Sequence, residues 1–162
     1  MIEARTTAPE QTGALAAAIA ELSRSGDLLV LVGDLGAGKT AFVKGFGAAL
    51  GVGEPITSPT FTLAHEYVGS MRVHHLDVYR IEQLEEVRDL ALPELLDSDA
   101  VTLIEWGDTI APMLPNDYLE ICFEFGEADD DRAITLSIVG PRWAGRLAGL
   151  RAAVASWTGE QC

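Results

Sequence analysis

The segment Gly33-Asp34-Leu35-Gly36-Ala37-Gly38-Lys39-Thr40 satisfies G-x-x-x-x-G-K-[ST] at every fixed position, and it constrains the fold more than any other part of the chain. The chemistry requires those residue types. Glycines let successive backbone N–H groups curl around a phosphate, and a helix starting at the loop's end points its positive pole at the anion. A lysine in the seventh position reaches the β- and γ-phosphates, and the hydroxyl that follows suits Mg²⁺. From the chain's own Gly, Lys and Ser/Thr frequencies, an accidental match would arise in roughly 0.2 per cent of such chains. The flanks agree with a working loop. Leu28–Val32 is an aliphatic run without alternation, as in a strand covered on both faces of a parallel sheet. Phe42, Val43, Phe46 and Leu50 then recur at helical spacing until Gly51.

The remaining pattern builds an α/β domain around that unit. Thr6 or Thr7 followed by Pro9 opens a helix over 9–22 that carries Leu15, Ile19 and Leu22 on one side. Strands are expected over 61–68 and 72–76 with Gly69-Ser70 as the turn, and a helix over 81–96 interrupted by Pro93. A second short buried strand follows at Val101–Ile104. Leu119, Ile121, Phe123 and Phe125 alternate with polar neighbours, and Ile134, Leu136 and Ile138 answer them across Glu127-Ala128-Asp129-Asp130-Asp131. That pattern is an antiparallel hairpin with a solvated acidic turn, and Trp143–Trp157 reads as a closing Ala-rich helix. The fold class is therefore a P-loop NTPase-like three-layer α/β domain, with a mixed, mainly parallel sheet and a C-terminal hairpin. At 162 residues the chain reads as one domain, 1–162.

Composition excludes several function classes. The net charge is −14 and no cluster of cations is present, which argues against a protein that holds nucleic acid by itself. Only two lysines, Lys39 and Lys44, accompany nine arginines, and Lys44 receives no role. No aliphatic run approaches the roughly 20 residues of a membrane span, and no secretory signal is readable. Cys122 and Cys162 are too few for a disulfide framework, so both read as free thiols of a reducing cytoplasm.

A phosphate loop needs a second acidic group, usually at the end of a neighbouring strand. Asp77 after Val73–Leu76 and Glu105 after Val101–Ile104 both qualify. The more aliphatic strand favours Glu105 on the metal side. Asp77 then suits water positioning or general-base work, or a structural pairing with Arg80. Trp106 reads as a core aromatic or as a lid over the nucleotide, and a hydroxyl of Ser58-Pro59-Thr60 could reach a γ-phosphate. His74 and His75 are adjacent in a strand and so face opposite ways, which disfavours a shared metal.

These motifs together resemble the TsaE (YjeE) family, small bacterial ATPases of tRNA threonylcarbamoyladenosine modification. The likeness rests on four segments in order: Gly33–Thr40, Thr57-Ser58-Pro59-Thr60-Phe61-Thr62-Leu63, His75-Leu76-Asp77-Val78-Tyr79-Arg80 and Leu103-Ile104-Glu105-Trp106. The resemblance implies ATP and Mg²⁺ as cofactors, with Thr40 and Glu105 on the metal and Asp77, Lys39 and Thr60 in hydrolysis. It implies nucleotide contacts from Gly33, Asp34, Leu35, Gly36, Ala37, Gly38, Lys39, Thr40, Ala41 and Trp106, with base contacts near Glu10, Thr12 and Arg132. The Leu90-Ala91-Leu92 segment departs from relatives that often carry a glycine there. The implied partners are TsaD and TsaB, with tRNA met only through them and hydrolysis resetting that complex between turnovers. Two other readings compete: a small-molecule P-loop kinase, for which Arg142 and Arg146 are the only close arginine pair, and a nucleotide-binding interaction module without catalysis. A guanine switch is disfavoured because no Asn/Thr-Lys-x-Asp motif exists among two lysines.

Overall fold

The aliphatic run that precedes the phosphate loop is the centre of the molecule. In the computed structural model, which describes residues 1–57, 64–78, 94, 96, 99–105 and 111–159, β2 (Leu28–Gly33) lies parallel to strands on both sides. Those neighbours are β5 (Ala100–Glu105) and β6 (Tyr118–Phe125), with Leu31 opposite Glu105 on one side and Ile121 on the other. Burial on both faces explains why β2 and β5 read as continuous apolar runs.

The sheet has seven strands in the order β1-β7-β6-β2-β5-β4-β3. Its parallel centre is continued by β4 (Arg72–Asp77), in register so that Asp77 sits opposite Glu105. Antiparallel pairings close each side: β3 (Ala64–Val68) on β4, β7 (Arg132–Val139) on β6, and β1 (Ile2–Thr6) on β7. The mixed sheet and the late hairpin with its acidic turn agree with the sequence reading. β1 was not expected; its period-2 burial, with Ile2, Ala4 and Thr6 inward, spans only five residues.

Helices α1 (Pro9–Leu22) and α2 (Lys39–Ala49) cover one face and bury Leu15, Ile19, Phe42, Val43 and Phe46 against Leu29, Leu31, Leu119 and Ile121. They cross very closely. A Cβ on Gly45 would stand 2.3 Å from the Gly13 carbonyl oxygen, so glycine is required at that crossing. The close crossing sets the start of α1 beside the phosphate loop. On the other face Leu28, Val30, Leu76 and Ile104 pack with Leu96, Met113 and Leu114.

The sequence predicts one closing helix, but the structure breaks it. A short α3 (Pro141–Ala144) ends at Gly145, α4 (Leu147–Val154) follows, and a 3₁₀ turn completes the segment at Ala155–Trp157. The break has a cause: Arg146, between the helices, turns inward to bind Asp27 through bonds of 2.6 and 2.7 Å. Of the predicted helix over 81–96, only 94 and 96 are described, and residues 61–63 of the strand predicted over 61–68 also lie outside the described residues.

Candidate nucleotide site

The phosphate loop begins where β2 ends and folds back through positive backbone angles at Gly36 (φ 81°) and Gly38 (φ 110°). Side chains with a Cβ rarely adopt these angles, and Gly38 is the N-cap from which α2 starts. The loop is locked by the Ala37 amide donating to the Asp34 carbonyl at 3.0 Å and the Phe42 amide to Gly38 at 3.0 Å. Lys39 is only 5 % exposed, and its ammonium lies inside the curl, donating to the carbonyls of Gly33 and, at 2.9 Å, Asp34. A cation is thus held at the focus of the loop's backbone dipoles.

Two carboxylates end at the same place. Register partners on parallel strands share a face, so Asp77 and Glu105 stand side by side on strands about 4.8 Å apart. Glu105 is 2 % exposed, and its Oε2 lies 2.5 Å from Nε2 of His75, which is fully buried on β4. His74 faces the opposite way. Burial lowers its imidazole pKa, Glu66 opposes this and Arg72 adds to it.

These groups open onto one cleft of about 270 Å³. Its wall comprises Pro9 and Thr12 from α1, Leu35, Gly36, Gly38, Lys39, Thr40 and Ala41 from the loop and helix, Asp77 and Glu105 from the strands, and Asp130 with Arg132 from the hairpin. Thr12 is fixed by a 2.8 Å hydroxyl contact with Thr6 at the end of β1. Arg132 ties the hairpin to the loop: Nε donates to the Ala37 carbonyl and Nη2 to that of Gly36, each at 3.1 Å. Its Nη1 donates to the Asp129 and Asp131 carbonyls, and the guanidinium lies 4.8 Å from the Phe125 ring centre.

The family model described as "Threonylcarbamoyl adenosine biosynthesis protein TsaE" matches residues 6–134. This chain belongs to the TsaE family. It is 44 % identical over 140 residues to the Bacillus subtilis protein named "tRNA threonylcarbamoyladenosine biosynthesis protein TsaE", spanning 86 % of this chain and 87 % of that one. The Streptomyces coelicolor protein of the same name is 41 % identical over 133 residues, covering 78 % and 89 %. A crystal structure of YdiB from Bacillus subtilis superposes with a TM-score of 0.78 at 38 % identity, covering 94 % of this chain and 97 % of that one.

The TsaE match spans every described residue of the cleft, from Pro9 to Arg132, and stops before α3 and α4. Of the residues singled out in the sequence, the cleft brings together Leu35, Gly36, Gly38, Lys39, Thr40, Ala41, Asp77, Glu105, Thr12 and Arg132. Gly33, Asp34 and Ala37 supply carbonyls to Lys39 and Arg132 instead. Glu10 is exposed on the first turn of α1 and does not line the cleft. Thr60, Trp106 and Arg80 lie outside the described residues. Sequence reasoning missed Asp130, taken as part of a solvated turn, and the bond from His75 to Glu105. The strand phase held a signal for the latter, since residues 75, 77, 103 and 105 share one face.

The donor set fits a small hard cation. Thr40, Asp77 and Glu105 offer only oxygen, and two carboxylates held side by side favour a positive charge near them. Among the described residues, no three His, Cys, Asp or Glu side chains group as a metal cage. An ion here would complete its shell from phosphate and water, the usual arrangement for Mg²⁺.

Arg142 and Arg146, the arginines a kinase lid would need, are bound to Asp27 at the opposite end of the parallel strands. They do not reach the cleft. No helix among the described residues is long and apolar enough to cross a membrane.

Proposed function

We propose that this chain is a Mg²⁺-dependent ATPase required for tRNA N6-threonylcarbamoyladenosine formation, weak alone, which acts with TsaD and TsaB and cycles that complex by binding and hydrolysing ATP. The observation that carries this reading is the meeting of Lys39, Thr40, Asp77 and Glu105 in one cleft of a TsaE-family chain. The names of the relatives support the pathway; the cleft's chemistry supports the reaction.

In this reading the loop amides from Leu35 to Thr40 and the positive end of α2 hold the phosphates, and Lys39 exchanges its carbonyl partners for β- and γ-phosphate oxygens. Thr40 and Glu105 supply oxygens to Mg²⁺, which when bound neutralises charge on the β- and γ-phosphates. Asp77 orients the attacking water or accepts its proton; the water's oxygen bonds to γ-phosphorus as the bond to the β–γ bridging oxygen breaks, leaving ADP and phosphate. Thr12 and Arg132, which line the cleft, flank the base; the family resemblance gives Thr60 to the γ-phosphate, Trp106 to the nucleotide and Glu10 to the neighbourhood of the base. Adenine is the base that the family resemblance implies, and the missing Asn/Thr-Lys-x-Asp signature speaks against a guanine switch. A charge of −14 suits a chain that leaves tRNA to its partners, and a tRNA-modifying role supports a cytoplasmic setting.

The test is reconstitution. TsaD, TsaB, tRNA, a threonylcarbamoyl donor, Mg²⁺ and ATP should sustain many rounds of modification with this chain and stall without it; equal turnover in both mixtures contradicts the reading.

A further inference from the structure

His75 stands apart from the other histidines. It is fully buried on β4, and its single polar contact among the described residues is Nε2 to Glu105 Oε2 at 2.5 Å. Its other ring nitrogen, Nδ1, is buried with no hydrogen-bond partner among the described residues. A neutral imidazole has one proton to place. A buried N–H without an acceptor costs more than a buried lone pair without a donor, so the proton belongs on Nε2, facing the carboxylate.

The surroundings of Glu105 show what this bond achieves. Along the sheet, its register neighbours are Leu31 on β2, which offers nothing polar, and Asp77 on β4, which repels it. Without a donor the carboxylate would turn away from Asp77. His75 supplies that donor from the interior side, two residues before Asp77, and so occupies one oxygen and leaves the other for the cleft.

We propose that His75 is a positioning residue for the cation site: its Nε2–H fixes Oε2 of Glu105 so that the remaining carboxylate oxygen faces the Mg²⁺ beside Thr40. The inference rests on the magnesium–ATP reading above. Hydrogen bonds to a metal-binding side chain usually change metal affinity 10- to 100-fold when removed, which sets the effect to look for.

The experiment measures the affinity of the non-hydrolysable analogue AMP-PNP by calorimetry, in Mg²⁺ and in EDTA, for the wild type and for His75→Leu, His75→Asn and His75→Gln. The wild type should bind more tightly in Mg²⁺. His75→Leu should lose about tenfold of that gain while its affinity in EDTA stays within about twofold. His75→Gln, whose amide N–H reaches the place of Nε2, should keep most of the gain, and His75→Asn, one bond shorter, should behave like His75→Leu. An undiminished gain in both His75→Leu and His75→Asn overturns the proposal, as does an equal loss in Mg²⁺ and EDTA, which marks a purely structural histidine. Should His75→Leu fail to fold, the contrast between His75→Gln and His75→Asn decides by the same criterion. A wild type without any magnesium gain overturns the parent reading, and this inference with it.

Discussion

The two ends of the central sheet each bury a carboxylate, and they treat it in opposite ways. Asp27, just before β2, is 1 % exposed and receives two bonds from Arg146 at 2.6 and 2.7 Å, one from Arg142 at 3.2 Å and one from the Arg24 amide at 2.7 Å. Burial pushes its pKa up, but the Arg146, Arg24 and Arg142 bonds and the Arg146 charge outweigh that, and the net shift is downward. Glu105, at the far end of β5, is 2 % exposed but has, among the described residues, one imidazole donor and an adjacent carboxylate. A charge enclosed by fixed partners holds the chain together. A charge left short of partners at a cleft suits a cation that comes and goes.

The largest expected effect separates these roles. Asp27→Ala leaves Arg146, buried against Trp143 with its guanidinium 4.1 Å from the ring, without its counter-charge. Breaking such a pair costs about 3–5 kcal/mol, measured by urea unfolding, with nucleotide affinity unchanged wherever the variant remains folded. The pH dependence has a definite sign. Because the folded pKa of Asp27 is depressed, its contribution is complete above the unfolded value of about 3.9 and is lost as pH falls through the lower folded value. Asp27→Asn should flatten that acid limb of the stability curve.

At the cleft the order reverses, with binding changing more than stability. Lys39→Ala removes the loop's only cation and should weaken ATP binding about 100-fold by calorimetry, in line with the worth of charge-assisted hydrogen bonds. Affinity near wild type would remove Lys39 from the phosphate site. The smallest effect belongs to Arg142, whose side chain is 42 % exposed beside Asp27. Arg142→Ala should cost under about 1 kcal/mol in the same unfolding measurement, because solvent screens that half of the brace. A cost equal to that of Asp27→Ala would mean the brace depends on both arginines alike.

How much of this the sequence revealed depended on distance along the chain. The phosphate loop and its flanking strand and helix were legible because Gly33–Thr40 encodes its own backbone, with glycines where φ is positive and lysine where the curl closes. The ends of the predicted strands correctly located Asp77 and Glu105 for the same reason. What stayed hidden was pairing. His75 and Glu105 are 30 residues apart, and only the register of β4 on β5 brings them together. Asp27 and Arg146 are 119 apart, and nothing local in an Ala-rich stretch reveals that Arg146 will interrupt a helix to reach inward. β1 was missed because five residues of alternation at the chain's start gain meaning only once β7 offers an edge.

If the proposed function holds, hydrolysis at the carboxylate end serves a cycle. The most direct measurement follows threonylcarbamoyladenosine formed per TsaD in a mixture of TsaD, TsaB, tRNA, a threonylcarbamoyl donor, Mg²⁺ and ATP, with either the wild-type chain or Asp77→Ala. The wild type should give many turnovers, whereas Asp77→Ala should bind ATP within about twofold of wild type yet slow steady-state turnover about 100-fold or more, the usual loss when a general base or water-positioning group is removed. Equal turnover with both proteins would contradict it.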